Sequence, residues 1–416
     1  MSSWIVKRIG ELCDEFGGLV QTGPFGSQLH ASDYVEDGIP VVMPVNIGRN
    51  TVDPVGIARI RESDRVRLAK YQLQSGDIVY SRRGDIGRHA YVTANEEGWL
   101  CGTGCLFIRF NNPKVDPRFV SYFLDLPESV DYVYANAVGT TMPNLNTEIL
   151  RSVPVRLPAF NLQKKIADIL GAIDDNILLN RRMNETLEQM VIALYQHWFI
   201  DFGPFAEFGD NELPVGWRWG TLKEVGYVHK VQVDPSELEE TRPYIGLEHM
   251  PKGNTSLEDW ESSDKVTSHK SMFDKGDILF GKLRPYFKKV GVAPIDGVCS
   301  TDILVLKPVN KEFFGMLFGL VIQDAFIDYC TNTSGGTKMP RSDWKEMAKY
   351  SVPIPPESVR EEFNQKIFSF VDQIISNIHA NRTLIEMRDY LLPRLLSGEI
   401  EVKTAEEQVE EVLAGA

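Results

Sequence analysis

Between Asn161 and Phe199, apolar side chains recur at alternating steps of three and four. The series runs Ile166, Leu170, Ile173, Ile177, Asn180, Asn184, Leu187, Val191, Leu194, Trp198. That spacing puts one narrow stripe along a helix of roughly 58 Å, at about 1.5 Å per residue. Asn161 reads as the N-cap, and Pro158 cannot sit inside the helix. So narrow a stripe fits a single partner helix better than the broad face of a core helix. The partner lies in the same chain, 201 positions on, as Ile367, Val371, Ile374, Ile378, Asn381, Ile385, Arg388, Leu392 and Leu395. Asn180-Arg181 returns as Asn381-Arg382. The second copy opens on Ser358-Val359-Arg360-Glu361, which reads as a capping box.

The rest of the chain repeats with the helices. Gly76-Asp77-Ile78-Val79-Tyr80 returns as Gly276-Asp277-Ile278-Leu279-Phe280. Cys101, Thr103, Leu106, Ile108 and Arg109 return as Cys299, Thr301, Leu304, Leu306 and Lys307. Gly139-Thr140-Thr141-Met142-Pro143 matches Gly336-Thr337-Lys338-Met339-Pro340, and Ser152-Val153-Pro154-Val155 matches Ser351-Val352-Pro353-Ile354. Ordered matches at four blocks establish a duplication. Each copy is a globular half followed by a long helix.

Within a half, Gly-Asp before a β-branched or aromatic run reads as a turn feeding a strand. Leu100 to Phe110 and Val298 to Leu306 read as further buried strands. Asp116-Pro117 opens a capped helix through Leu124. Each half is therefore mixed α and β on a twisted sheet, and the fold class is α+β. Asp201 to Trp219, rich in Gly, Pro and aromatics, reads as a turn packed near a helix end. The predicted boundaries are 1–158 for the first half and 159–201 for its helix. They are 202–356 and 357–398 for the second copy, with 399–416 an acidic, disordered tail. Two such helices pair antiparallel most simply, as a coiled coil with pseudo-two-fold symmetry and a globular half toward each end. Duplex DNA has the same local symmetry. Asn180 and Asn381 would fix the register of the seam at some cost in stability, unless they face solvent.

No run of about 18 apolar residues is present, as a membrane helix requires. Glu11, Asp14 and Glu15 stand where an export signal needs apolar residues. The five cysteines are scattered, so Cys101 and Cys299 read as small buried hydrophobes in a cytoplasmic protein. The seven histidines form no metal pattern. A net charge of −14 argues against a nucleic-acid partner at first sight, but its distribution does not. From Arg49 to Arg88 nine Lys/Arg face five Asp/Glu, and from Asp264 to Lys289 seven face three. These basic islands occupy matching places in the repeat. Asp77 and Asp277 invite a catalytic pairing, though their equivalent places in separate halves favour a role in the turn. An acidic scaffold that never touches DNA is the rival reading of the charge, and steep salt dependence of DNA affinity separates the two.

Several blocks carry a family likeness. They are Thr22-Gly23-Pro24-Phe25-Gly26-Ser27, Gly276 to Phe280 with Arg284-Pro285-Tyr286 and Lys289, and Gln163-Lys164-Lys165-Ile166. Trp198-Phe199-Ile200-Asp201-Phe202 followed by Leu213-Pro214-Val215-Gly216-Trp217 completes the set. In this order and duplication the chain resembles the specificity subunit of a type I restriction-modification system over essentially its full length. The second copy departs at its helix start, where Glu362-Phe363-Asn364-Gln365 replaces the usual basic-flanked glutamine run. The resemblance implies a non-catalytic subunit whose globular halves are target-recognition domains for a bipartite, asymmetric DNA site. It implies two methyltransferase subunits that bind S-adenosylmethionine, and restriction subunits that use ATP and Mg. This chain would hold no cofactor of its own, and it has no phosphate-loop motif. Phosphate contact and base readout favour Arg82, Arg83 and Arg88 after the first Gly-Asp strand. Lys282, Arg284, Tyr286, Lys288 and Lys289 are their counterparts, with Phe25, Gln28, Thr141 and Lys338 in nearby loops.

Overall fold

The computed structural model describes residues 4–139, 143–205, 207–209, 212–237, 241–336 and 339–415. The chain forms two compact units: Met1–Asp174 with Met387–Gly415, and Asp175–Glu386. The boundary falls inside both long helices.

In the first unit an antiparallel sheet runs Leu19–Thr22, Cys105–Arg109, Ile78–Ser81, His89–Tyr91. A smaller sheet runs Tyr34–Val35, Ala58–Ile60, Ile39–Val42, Leu100–Cys101, its last pair parallel with Val41 opposite Leu100. Ile5–Arg8 pairs with Pro154–Leu157 as a separate ribbon. Side chains of both sheets, among them Val42, Cys101, Val79, Ala90 and Phe107, share one buried core. The second unit repeats this plan. Gly226–Val228, Ile303–Pro308, Ile278–Gly281 and Val290–Val292 form its antiparallel sheet. Gly297–Cys299 lies parallel to Pro243–Ile245 in the other. The register repeats too: Ile78 faces Ile108, and Ile278 faces Leu306.

Each predicted strand at Leu100 to Phe110 and Val298 to Leu306 is in fact two. The chain leaves the small sheet at Cys101 or Cys299, turns, and enters the large one at Cys105 or Ile303. Cys105 N–H donates to the Gly102 carbonyl (3.2 Å) and Ile303 N–H to the Ser300 carbonyl (2.9 Å). A continuous apolar run hides such a break, because both halves are buried. Cys101 and Cys299 hold equivalent, fully buried positions, and burial pushes the Cys299 thiol up to about 12. Asp116 does cap the helix Pro117–Leu124, accepting from Phe119 N–H at 2.9 Å.

The long helices span Phe160–Phe199 and Glu357–Ser397. Both begin earlier than their polar side chains suggest. Leu162 and Gln163 N–H donate to the Ala159 carbonyl (2.8 and 3.1 Å), and Val359 and Arg360 N–H to that of Pro356 (both 3.2 Å). Asn161 and Ser358 therefore lie within the helices instead of capping them. The proline-bearing approach sets each start. At the first, buried Gln163 donates to the Pro158 carbonyl (2.9 Å) and accepts from Asp116 N–H (3.0 Å).

In the second unit the helices run antiparallel. Asn180 Nδ2 donates to Asn381 Oδ1 at 2.9 Å, and Asn377 Nδ2 to Asn184 Oδ1 at 2.7 Å. Asn184, Asn377 and Asn381 are buried. In the first unit Arg388 Nη1 meets Asp174 Oδ1 at 2.9 Å, and Tyr122 OH donates to the other carboxylate oxygen at 2.6 Å. The buried face is broader than a two-helix seam, because Ala167, Ile169, Glu188 and Tyr195 are buried beside it. The globular parts cover that extra face. Thr255 donates to Glu188 through N–H (2.7 Å) and Oγ1 (2.9 Å), and Glu258 accepts from Arg181 (2.9 Å). Where the first long helix ends, Trp198, Phe199, Phe202, Phe205 and Trp217 stack around one another. Phe363 of the second helix stands edge-on to Phe199 with ring centroids 4.7 Å apart.

The acidic composition of 399–416 predicts disorder, but Val402–Gly415 is a helix. Its acids hide a stripe at Ala405 and Val409, both buried, so composition outweighed periodicity in the sequence reading. Among the described residues no single helix is long and apolar enough to cross a membrane.

The seam amides make a double-mutant cycle informative. Asn184→Leu should lower stability by about 1–3 kcal/mol by stranding the Asn377 amide, and adding Asn377→Leu should restore most of it. Urea unfolding of the three variants measures both. Additive losses would show that the amides do not depend on each other.

Candidate nucleic-acid interface

The Gly-Asp turn is a brace for the strand that follows it. Asp77 accepts from Gln74 N–H (2.8 Å) and from Arg109 Nε and Nη2 (2.8 and 2.6 Å). Asp277 accepts from Asp274 N–H (2.8 Å) and pairs with Lys307 (3.2 Å). Burial pushes both carboxyls up while the neighbouring cations pull them back. Each carboxylate is engaged with its own turn and cation, as a structural role requires.

Beyond the braced strand of the first unit, three loops converge. Arg82 N–H donates to the Gly104 carbonyl (2.8 Å), and the Arg82 carbonyl accepts from Leu145 N–H (3.0 Å). The Arg82 side chain donates to Asn144 Oδ1 (3.2 Å), and its guanidinium lies 5.7 Å from the centre of the Phe25 ring. Phe25 is 55% exposed, and its loop is fixed through the backbone. Its carbonyl accepts from Gln28 and Leu29 N–H (2.8 and 3.2 Å). Gly23 anchors the loop from the other side: a Cβ there would stand 2.1 Å from the Gly102 carbonyl oxygen. Gln28 braces the same loop, its Oε1 accepting from Tyr71 OH (2.7 Å) and Phe25 N–H (3.3 Å). Arg83 is exposed and makes no ion pair among the described residues. Arg88 pairs with Asp85 (2.7 Å). Thr141 lies outside the described residues.

The second unit builds the same junction with different side chains. Lys282 N–H donates to the Asp302 carbonyl and Ser342 N–H to that of Lys282, both at 2.9 Å. Arg284 and Lys288 adopt left-handed backbone (φ 52° and 49°) on either side of the turn Pro285–Phe287. Such strain, about 1–3 kcal/mol per residue, concentrates at functional sites. Arg284 N–H donates to the Pro340 carbonyl (2.8 Å), while its buried Nε has no hydrogen-bond partner among the described residues. Tyr286 at the turn's apex is 48% exposed. Lys288 pairs with Asp324, and Lys289 donates to the Leu247 carbonyl, burial holding its ammonium below the usual lysine range. Lys289 thus braces a neighbouring loop. Lys338 lies outside the described residues.

The structure gathers Phe25, Arg82 and Arg83 at one junction and Lys282, Arg284 and Tyr286 at the other. The net charge of the basic islands overstates the free positive surface. Arg49, Arg61, Arg65, Arg67 and Arg88 are all paired with carboxylates, so much of the first island is neutralised locally. The structure also brings forward residues the sequence reading passed over. Asn144 and Arg341 each follow the repeated Met-Pro pair, and each bridges to the basic strand end, Asn144 to Arg83 and Arg341 to Leu283. The signal was available, because the first residue past a repeated block is where the copies diverge.

Two stretches, 1–189 and 214–387, match the model of the type I restriction modification DNA specificity domain. The chain belongs to this family. As a specificity subunit it is the non-catalytic, DNA-recognising component, and its globular halves are target-recognition domains. The MjaIX specificity subunit of Methanocaldococcus jannaschii is 25% identical, over 96% of this chain and 94% of that protein. The HindI specificity subunit of Haemophilus influenzae is also 25% identical, over 80% and 88%. The crystal structure of a type I S subunit from M. genitalium shares the fold, with a TM-score of 0.55 at 17% identity over 95% of this chain and 96% of that one.

The loop geometry of this specificity subunit separates substitutions at two positions only two residues apart. Gly23→Ala should cost about 1–3 kcal/mol, because backbone must shift to admit the methyl group. Phe25→Ala should stay within about 0.5 kcal/mol of the parent, its ring being largely in water. Thermal unfolding of both variants tests this, and equal losses would mean the loop is not anchored at Gly23.

Proposed function

We propose that this specificity subunit recognises a split, asymmetric duplex site. The first target-recognition domain reads one part and the second reads the other. The paired helices set the gap and dock two methyltransferase subunits that carry S-adenosylmethionine and methylate adenine. Restriction subunits using ATP and Mg join that core, and the complex works in the cytoplasm. The observation that carries this reading is the junction built twice. The same backbone hydrogen bonds join Arg82 to Gly104 and Leu145, and Lys282 to Asp302 and Ser342, yet the side chains they present differ. One scaffold with two chemistries suits two unlike half-sites.

On this reading Arg82, Arg83, Lys282, Arg284 and Tyr286 face DNA, with Phe25 as an apolar contact. Arg88 and Lys288 would reach phosphate only by leaving their carboxylates, and Gln28 and Lys289 act through the loops they brace. Asn180 and Asn381 hold the helix register, supported by their mutual hydrogen bond.

Changing Lys282 and Arg284 together to alanine in the assembled methyltransferase should weaken specific DNA binding by about 10- to 100-fold. Methylation unchanged at every site would remove both from the DNA face. Deleting one turn from the same face of each helix should shorten the recognised gap, read by sequencing methylated adenines. A gap of constant length would show that the helices are not the ruler.

A further inference from the structure

Three backbone stations recur in the two target-recognition domains. In the first they hold Arg82, Gly104 and Asn144, and in the second Lys282, Asp302 and Arg341. Matching hydrogen bonds fix the equivalence of the first two stations, at 2.8 Å between Arg82 and Gly104 and 2.9 Å between Lys282 and Asp302. Matching bridges fix the third: Arg83 and Val138 with Asn144, Leu283 and Gly335 with Arg341.

The stations differ in chemistry. Asp302 Oδ1 lies 3.8 Å from Lys282 Nζ and 3.4 Å from Arg341 Nη2, a carboxylate between two cations. Their side chains are 26%, 29% and 56% exposed for Lys282, Asp302 and Arg341, so all three heads are within reach of a partner. The Ser300 hydroxyl accepts from Asp302 N–H at 3.2 Å and steadies the corner. With the carboxylate cancelling one cation, the trio attracts phosphate weakly. It suits a surface that offers acceptors and a donor side by side. A G·C pair does this in the major groove, where guanine O6 and N7 accept and cytosine N4 donates. The first domain cannot match it. Gly104 has φ +87°, where a carboxylate-bearing residue would be strained, and Arg82 is joined to Asn144 instead.

We propose that Asp302 is the specificity-determining residue of the second domain. It accepts from cytosine N4 while holding Lys282 or Arg341 on the guanine of the same base pair. This rests on the DNA-recognition reading above and adds the base pair and the residues that read it.

The test uses the assembled methyltransferase carrying Asp302→Ala or Asp302→Asn, and duplexes randomised at one position of the site at a time. Methylated adenines are counted by sequencing. One G·C position in one half-site should lose its preference by about 5- to 150-fold while every other position keeps its own. Preferences unchanged at all positions would overturn the proposal. So would a uniform loss across all sequences, which marks a phosphate-binding or purely structural residue. Asp302→Asn keeps the shape and one acceptor but loses the charge that holds the two cations, so it should lose a smaller part of the same preference, and it serves if the alanine variant does not assemble. A parent complex that methylates without sequence preference would instead remove the broader reading of the chain as a DNA reader.

Discussion

An amide buried in an apolar seam is satisfied only by a partner at its own height. That constraint governs both long helices. In the second unit Asn180 and Asn184 find Asn381 and Asn377, and in the first Asp174 finds Arg388. A shift of the helices past each other would strand these groups in turn. Each orphaned amide costs about 1–3 kcal/mol, and an unpaired buried ion about 3–5 kcal/mol. Leucine in their place would pack well and specify little. The globular parts then attach to faces whose position is already decided, through Glu188 with Thr255 and Glu258 with Arg181.

Much of this was legible in the sequence. The step of three and four from Ile166 to Trp198 located the first helix, and its repetition located the second. The repeated Gly-Asp and Met-Pro blocks gave the duplication that the sheets then displayed. What escaped notice did so for identifiable reasons. Two short buried strands joined at Cys101 to Cys105 read as one, since periodicity carries no mark of a change of sheet. Asn161 and Ser358 resembled caps, but a helix can begin wherever the preceding backbone allows. Six acids in the tail masked the spacing of Ala405 and Val409.

The site was less legible than the frame. Counts of lysine and arginine located both junctions, yet could not tell a cation facing solvent from one held by a carboxylate. Arg65 and Arg67 belong to the second class, paired with Glu62 and Asp64 on their own helical turn. Arg82, Lys282 and Arg284 stand out because they follow a repeated block, and Phe25 because it lies in the glycine-rich loop that carries the family likeness. Asn144, Asp302 and Arg341 are equally close to those blocks. Spacing alone does not show that the three side chains meet the basic strand end, because the bridges and hydrogen bonds that bring them there join separate loops.

The split of each buried run into two strands has one more outcome. Gly104 and Asp302 sit at the corner between sheets, so a side chain there touches neither hydrogen-bond ladder. Vocabulary can therefore change by single replacements while the grammar of the fold stays fixed. The freedom is unequal. The left-handed backbone at Gly104 strains any other residue at that corner, whereas Asp302 is not among the positive-φ residues and carries its side chain without that strain. On the proposed reading, a single replacement at this corner would change what the second domain recognises, whereas the corner of the first domain has no side chain to change.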